Sequence, residues 1–325
     1  MARTILTDIS PLTWEHPADR AALNTLRALP GFEQVVNKVA GVFGERGVRH
    51  LFTANAVRVG PTQRPDLDAL WTEVLATMDW PVRPQLYVTQ TPHMNAGAVG
   101  FGSPFVVINS ASIEHLTRDE LRVLLAHELG HIMSGHVTYR TIAQIILLVG
   151  LGNLPFLAGL ALLPFQMAIL EWYRKSELSC DRASLLDAQN PDVVLTTFMK
   201  LAGGREFGDT LDLAAFKEQS REYETDDTVW DTVLKAINTA FREHPFFTVR
   251  AGDLLRWIES GAYARVLAGD YLRRADVKPG ERVGSDVQEA TRYYADQAKA
   301  AMDKVGDSLG RAKDAFADAF KGGSR

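Results

Sequence analysis

The chain has 325 residues, 46% hydrophobic and 23% charged, which is enough to enclose a sizeable core and to carry appendages. With 35 basic against 40 acidic residues the formal net charge is −5, which argues against nucleic acid as a partner because phosphate binding requires a basic field. The one cysteine, Cys180, excludes an intramolecular disulfide, and the opening Met1-Ala-Arg-Thr-Ile-Leu-Thr-Asp lacks the apolar core of a signal peptide, so a cytoplasmic location is expected.

Residues 1–80 read as a helical segment that packs on the domain after it. Helices are predicted at Asp19–Leu29, Glu33–Arg46 and Leu67–Met78, separated by Pro30-Gly31 and Gly60-Pro61, with His16-Pro17 as a turn. Between 85 and 109 the β-branched, alternating runs Leu86-Tyr-Val-Thr and Phe105-Val-Val-Ile predict a small sheet. Asn95 to Val99 reads either as an exposed edge strand that pairs with an extended peptide or as a plain hairpin. Helices dominate the rest, so the expected class is mainly α with a small sheet, α+β.

Thr117-Arg118-Asp119-Glu120 is a capping box that starts a helix, and the residues from Leu121 to Met133 show neither proline nor strand-like alternation. That helix carries His127-Glu128-Leu129-Gly130-His131. Residues four apart on a helix differ by about 40° in azimuth and about 6 Å in rise, so both imidazoles can grip one zinc ion from one face. Glu128 then reaches a metal-bound water and takes its proton as the water attacks a carbonyl. The other reading of the two histidines is a pair of buried core residues bonded to backbone. A catalytic zinc needs a third protein ligand. The metzincin pattern requires glycine at 134 and histidine at 137, but the chain has Ser134 and Val137, with His136 one residue out of register. Glu177, in Ser176-Glu177-Leu178-Ser179-Cys180-Asp181, is the better candidate, with Asp181 on the same helical face to orient a ligand histidine through its other ring nitrogen. Such an acidic pair is also common on solvated helix faces.

Thr141 to Leu170 is thirty residues without a charge. A single membrane crossing would put His131 and Glu177 on opposite sides of a layer about 30 Å thick, where they cannot share an ion, and two crossings need about 20 residues each. Gly150-Leu-Gly-Asn-Leu-Pro155 makes a turn and Pro164 a second break, so the expectation is a helical hairpin with arms of about 10 to 15 residues, packed in the protein or dipping into a membrane interface. Pro191 to Leu267 is helical, with His244-Pro245 a turn on its own evidence. Lys278-Pro-Gly-Glu281 is a linker, and an amphipathic stripe from Val287 to Phe320 predicts a tail helix that is solvated, self-associating or membrane-facing. The expected organisation is therefore 1–80, a catalytic domain at 81–275, and linker plus tail at 276–325. His93, His115 and His136 read as surface or capping residues, and Cys180 as a small buried thiol.

Four blocks together resemble the M48 family of zinc metallopeptidases, the gluzincins that include the CAAX prenyl endopeptidases and the heat-shock protease HtpX. They are Asn95 to Gly100 with Pro104 to Ile108, Leu116 to His136, Arg174 to Ala183, and His244-Pro245 with Arg250. The departures are Cys180, where the family often carries alanine, and a weaker case for membrane spans. The resemblance implies a gluzincin-type fold and one zinc per chain on His127, His131 and Glu177, with Glu128 as general base. It also implies Arg174 and Asp181 around the ligands, and Asn95 and Ala96 as an edge for the substrate backbone. His244 would donate to the developing oxyanion, and Arg250 would hold the substrate backbone or a site carboxylate. The function expected is a zinc endopeptidase acting on extended or unfolded polypeptides. A non-proteolytic scaffold that keeps the fold, and a quality-control protease at a membrane interface, stay open beside it, as do membrane contact and self-association.

Overall fold

A computed structural model describes residues 3–149, 162–204, 212–225 and 246–277. The protein is mainly helical with one four-stranded sheet. After a 3-10 turn at Pro11–Thr13 come α1 (Pro17–Ala28), α2 (Phe32–Thr53), β1 (Ala56–Arg58) and α3 (Pro65–Thr77). Next are β2 (Gln85–Thr89), β3 (Ala96–Val99), β4 (Phe105–Asn109), α4 (Ser110–His115) and α5 (Arg118–Met133). The last group is α6 (Val137–Val149), α7 (Leu162–Ala188), α8 (Pro191–Gly203), α9 (Leu213–Thr225), α10 (Phe247–Glu259) and α11 (Ala262–Leu267).

The strand order is β1-β2-β4-β3; β2 and β4 run parallel and the outer pairs antiparallel, which leaves β3 at an edge. Successive side chains of a strand point to opposite faces. On β4, Val106 and Ile108 accordingly enter one core with α3, α5 and α8, whereas Phe105 and Val107 enter a second core with α1, α2 and the start of α6. A sheet covered on both faces has no solvated side, and every residue of β4 from Phe105 to Ile108 is buried.

The helix α5 starts on the Thr117/Glu120 capping box, with Glu120 N–H donating to Thr117 Oγ1 (3.4 Å) and Thr117 N–H to Glu120 Oε2 (2.8 Å). Every residue from Glu120 to Met133 is buried. A helix covered all round lies in the interior, so its polar side chains face other protein groups. Its main neighbour is α7, and the two approach closely because Gly130 has no Cβ: one built there would stand 2.8 Å from Ala183 Cβ and 3.3 Å from Cys180 Cα.

Several boundaries differ from the sequence reading. The helix α2 runs past Arg46 to Thr53 because the chain resumes helical geometry after a kink at Gly44, whose φ is 58°. The strand β1 was not expected; three residues inside a helical stretch give no usable alternation. Pro164 does not break the second apolar arm. It lies within α7, the 27-residue helix Leu162–Ala188 that also carries Glu177. The helices α6 and α7 pack on each other, and no helix among the described residues is long and apolar enough to cross a membrane. The turn expected at 150–155, the linker at 278–281 and the tail helix lie outside the described residues.

Candidate metal centre

The paired histidines of α5 and Glu177 of α7 meet at one point. His127 Nε2 lies 3.2 Å from His131 Nε2 and 3.4 Å from Glu177 Oε2, and His131 Nε2 lies 3.3 Å from Glu177 Oε1. Tetrahedral zinc with bonds of about 2.0–2.1 Å requires donor atoms about 3.3 Å apart, so this donor set has the spacing and the chemistry to hold the ion. The position is buried, with all three side chains at 7% exposure or less. Glu128 is next to it, and its Oε2 accepts the Ala98 N–H of β3 at 2.7 Å.

Burial and neighbouring charge pull the two histidines in opposite directions. Burial penalises a charged imidazole at His127, but the carboxylates of Glu177 and Asp181 outweigh it and raise its pKa to about 9. His131 goes the other way: burial, reinforced by the Arg140 charge, holds it well below the usual imidazole range. Burial, and then the Glu177 charge, pushes the Cys180 thiol well above its ordinary value; its Sγ, 3.8 Å from His136 Nδ1, forms with His131 and His136 a second group of closely spaced possible ligand atoms.

Around the donors lies a layer of buried charge. Asp181 Oδ1 is 3.1 Å from His127 Nδ1, and Asp181 takes a forked pair from Arg250 at 2.5 and 2.8 Å. The Arg250 guanidinium also lies 3.3 Å from Glu177 Oε2 and stacks 5.0 Å from the rings of Phe198 and Phe247. Arg140, on α6, donates to Glu177 Oε1 and sits 4.0 Å over the Tyr173 ring. On the far side of His131, His136 Nδ1 is 3.2 Å from His131 Nδ1, and His136 Nε2 is 3.1 Å from Asp19 on α1.

A cavity of about 230 Å³ opens onto His127, Glu128 and Glu177. Its apolar wall includes Met94, Val123, Leu124, Phe198, Leu201 and Phe247, and exposed His93 and Asn95 lie at its rim. The outer edge of β3, which pairs with no further strand among the described residues, runs beside it, and its Ala98 N–H is the one bound to Glu128. By register Ala96 and Ala98 turn their backbone groups away from β4, whereas the Asn95 N–H and carbonyl are bound to Ser112 Oγ at 2.7 and 2.9 Å.

The structure thus brings together His127, Glu128, His131, Glu177, Asp181, Arg250 and Asn95, while Ala96 follows Asn95 on β3 and is not among the residues that line the cavity. The Arg174 guanidinium pairs with Glu171 at 2.5 Å, one turn back on α7. His244 lies outside the described residues. His136, expected at the surface or in a cap, is a correction, since it is 2% exposed and bonded to His131. Its signal in the sequence was its place just after the turn at Gly135, which folds the chain back onto α5. His16, read as part of a turn, is the N-cap of α1 and is buried against Asp253 at 3.2 Å, where burial lowers its pKa despite that carboxylate. Asp19 and Arg140 gave no sequence signal, because only tertiary packing connects them to the motif.

The sequence profile described as Peptidase family M48 matches residues 61–258, more than half of the chain. The chain belongs to peptidase family M48. Among its relatives in that family, the chloroplastic plastoglobule-localized metallopeptidase 48 of Arabidopsis thaliana is 33% identical over 267 residues, 81% of this chain and 77% of that protein. The protease HtpX homolog of Moorella thermoacetica is 32% identical over 115 residues, 35% of this chain and 38% of the relative. The HtpX homolog 2 of Methanosarcina acetivorans is 27% identical over 179 residues, 47% of this chain and 60% of the relative. No solved structure matches the chain. Membership of M48 makes the protein a metallopeptidase, and its polypeptide substrates follow from that.

Proposed function

We propose that the protein is a zinc-dependent endopeptidase that hydrolyses peptide bonds in extended or unfolded polypeptides. The observation that carries this is the convergence of His127 Nε2, His131 Nε2 and Glu177 at 3.2–3.4 Å beside the Glu128 carboxylate. Zinc in that position supplies Lewis acidity, polarising the scissile carbonyl and making water a nucleophile near neutral pH.

The chain's own groups do the rest. The Ala98 N–H anchors one Glu128 oxygen, which fixes the plane of the carboxylate so that the other oxygen takes the water proton. Glu128 then delivers that proton to the leaving amine as the C–N bond breaks. An extended substrate adds to the free edge of β3 at Ala96 by main-chain hydrogen bonds, next to exposed Asn95, and this recognition tolerates many sequences. Asp181 orients His127, and Arg250 braces both Asp181 and Glu177, so its part here is to hold site carboxylates rather than substrate. His244 is assigned to the oxyanion, and Arg174 is given no part in the chemistry.

The scaffold alternative leaves a buried carboxylate beside the donor set without a purpose, although burying such a group costs free energy. The location proposed is cytoplasmic. Contact with a membrane surface through 141–170 or the C-terminal residues is the alternative, and carbonate extraction of membranes separates the two. The chemical test is Glu128→Gln. It keeps the volume and the zinc but cannot accept the proton, so casein hydrolysis falls by about two orders of magnitude or more. Wild-type hydrolysis by a variant that still holds zinc removes Glu128 as the base.

A further inference from the structure

The buried acceptors and donors behind His131 form a closed arrangement with few ways to place its protons. Asp19 is 1% exposed and receives three groups: the Trp172 indole N–H at 2.9 Å on Oδ1, the Ser179 hydroxyl at 2.5 Å on Oδ2, and His136 Nε2 at 3.1 Å on Oδ2. An indole N–H can only donate. The Ser179 hydroxyl accepts the His16 N–H at 2.9 Å, so its own proton goes to Asp19. Asp19 is thus an acceptor throughout, and the hydrogen bonds it takes favour its charged form. His136 Nε2 must then carry a proton to donate. Between the two imidazoles, Nδ1 faces Nδ1 at 3.2 Å, a contact that needs one donor and one acceptor. With His136 donating through Nε2, its Nδ1 takes the acceptor role, facing His131 Nδ1 and, at 3.8 Å, the Cys180 Sγ, whose thiol proton can only add to that role. The proton between the rings belongs to His131 Nδ1, and the lone pair of His131 falls on Nε2, the atom that faces His127 and Glu177.

We infer that Asp19 and His136 are positioning residues of the metal centre, a relay that sets the tautomer and ring orientation of His131 so that its Nε2 is the metal donor. The inference rests on the proposed zinc site. It gives the two ligand histidines separate supports: Asp181 for His127 from within α7, and His136 with Asp19 for His131. It also gives the N-terminal helix a function. Asp19 lies outside residues 61–258, the part that matches the family, so α1 completes a site whose ligands lie in the matching part. The docking of α1 on α7 supplies the rigidity, because the His16 N–H and Asp19 close on Ser179, two residues from Glu177.

The test uses the full chain and zinc alone. Zinc affinity is measured by chelator competition, and the ring nitrogens of the zinc-loaded protein are assigned by 15N NMR. In the wild type, His131 Nδ1 and His136 Nε2 carry protons. Outer partners of metal histidines contribute about 10–100-fold in affinity, and a loss of that size is expected in Asp19→Asn and His136→Gln, with the His131 tautomer no longer uniform. Leu26→Ala removes buried packing from α1 and keeps every hydrogen bond of Asp19 and His136, so it lowers the melting temperature while zinc affinity stays within about threefold. If Asp19→Asn and His136→Gln bind zinc as tightly as the wild type, or if Leu26→Ala loses as much affinity as they do, the relay is refuted and the zinc reading stands. A wild-type protein that binds no zinc refutes both.

Discussion

Gly130→Ala tests whether the close approach of α5 and α7 makes the metal site. The added Cβ would stand 2.8 Å from Ala183 Cβ and 3.3 and 3.4 Å from Cys180 Cα and Cβ. Ordinary carbon contacts are about 3.5–4.0 Å, so the helices must separate by roughly 1 Å. None of these atoms is the end of a flexible side chain, which puts the overpacking cost near the upper end of the usual range, about 3 kcal/mol. Replacing glycine by alanine inside a helix returns about 1 kcal/mol. The net loss is about 2 kcal/mol, a fall in melting temperature of about 4 °C for a domain of this size. The functional effect is larger in kind: the histidines sit on one helix and Glu177 on the other, so a 1 Å separation takes the 3.3–3.4 Å donor spacing beyond what one ion can bridge. Zinc affinity should fall at least tenfold. Adding Ala183→Gly removes the Cβ in conflict, and the double variant should regain affinity, with a coupling above about 1 kcal/mol in the stability cycle. Thermal melts and chelator competition on the four proteins decide it. A Gly130→Ala protein with wild-type melting temperature and wild-type affinity shows that the packing argument is wrong.

Arg140→Met should destabilise the metal-free protein by about 3 kcal/mol, the low end for breaking a buried ion pair because Arg250 still serves Glu177. The zinc-loaded form should lose much less, and equal losses in melts with chelator and with zinc speak against Arg140 as the counter-charge of Glu177. A pH series gives a second check. His127 has a folded pKa of about 9 against about 6.5 unfolded, so in metal-free protein its contribution is complete below about pH 6.5 and is lost as pH rises to about 9, on the order of 3 kcal/mol in all. His131, held below its unfolded value, adds the opposite slope on the acid side. Metal-free stability should therefore peak near pH 6.5, and the alkaline loss should vanish with zinc bound. A profile by urea unfolding that is flat from 6.5 to 9 without metal contradicts the assignment.

The placement of side chains within one helix was legible in the sequence. His127, Glu128 and His131 follow from helical spacing and a capping box, and Glu177 with Asp181 from the same spacing on a second helix. The sheet was legible where alternation was long enough, at β2 and β4, and not at the three residues of β1. What sequence could not supply is what packing creates. Arg140 reaches Glu177 because α6 returns along α7, whereas Arg174, closer in sequence, lies on a face of α7 that turns it to Glu171. Asp19 reaches His136 across 117 positions of sequence through the docking of α1. The second arm of the apolar stretch belongs to the same helix that carries Glu177, so Pro164 does not interrupt it, and no helix among the described residues is long and apolar enough to cross a membrane.

The most direct measurement is anomalous diffraction at the zinc absorption edge from crystals of the protein grown with zinc. The expected result is a single site per chain, with His127 Nε2, His131 Nε2 and a Glu177 oxygen each about 2.0–2.2 Å from the ion. An anomalous peak elsewhere, or one held by the two histidines with Glu177 out of reach, contradicts it.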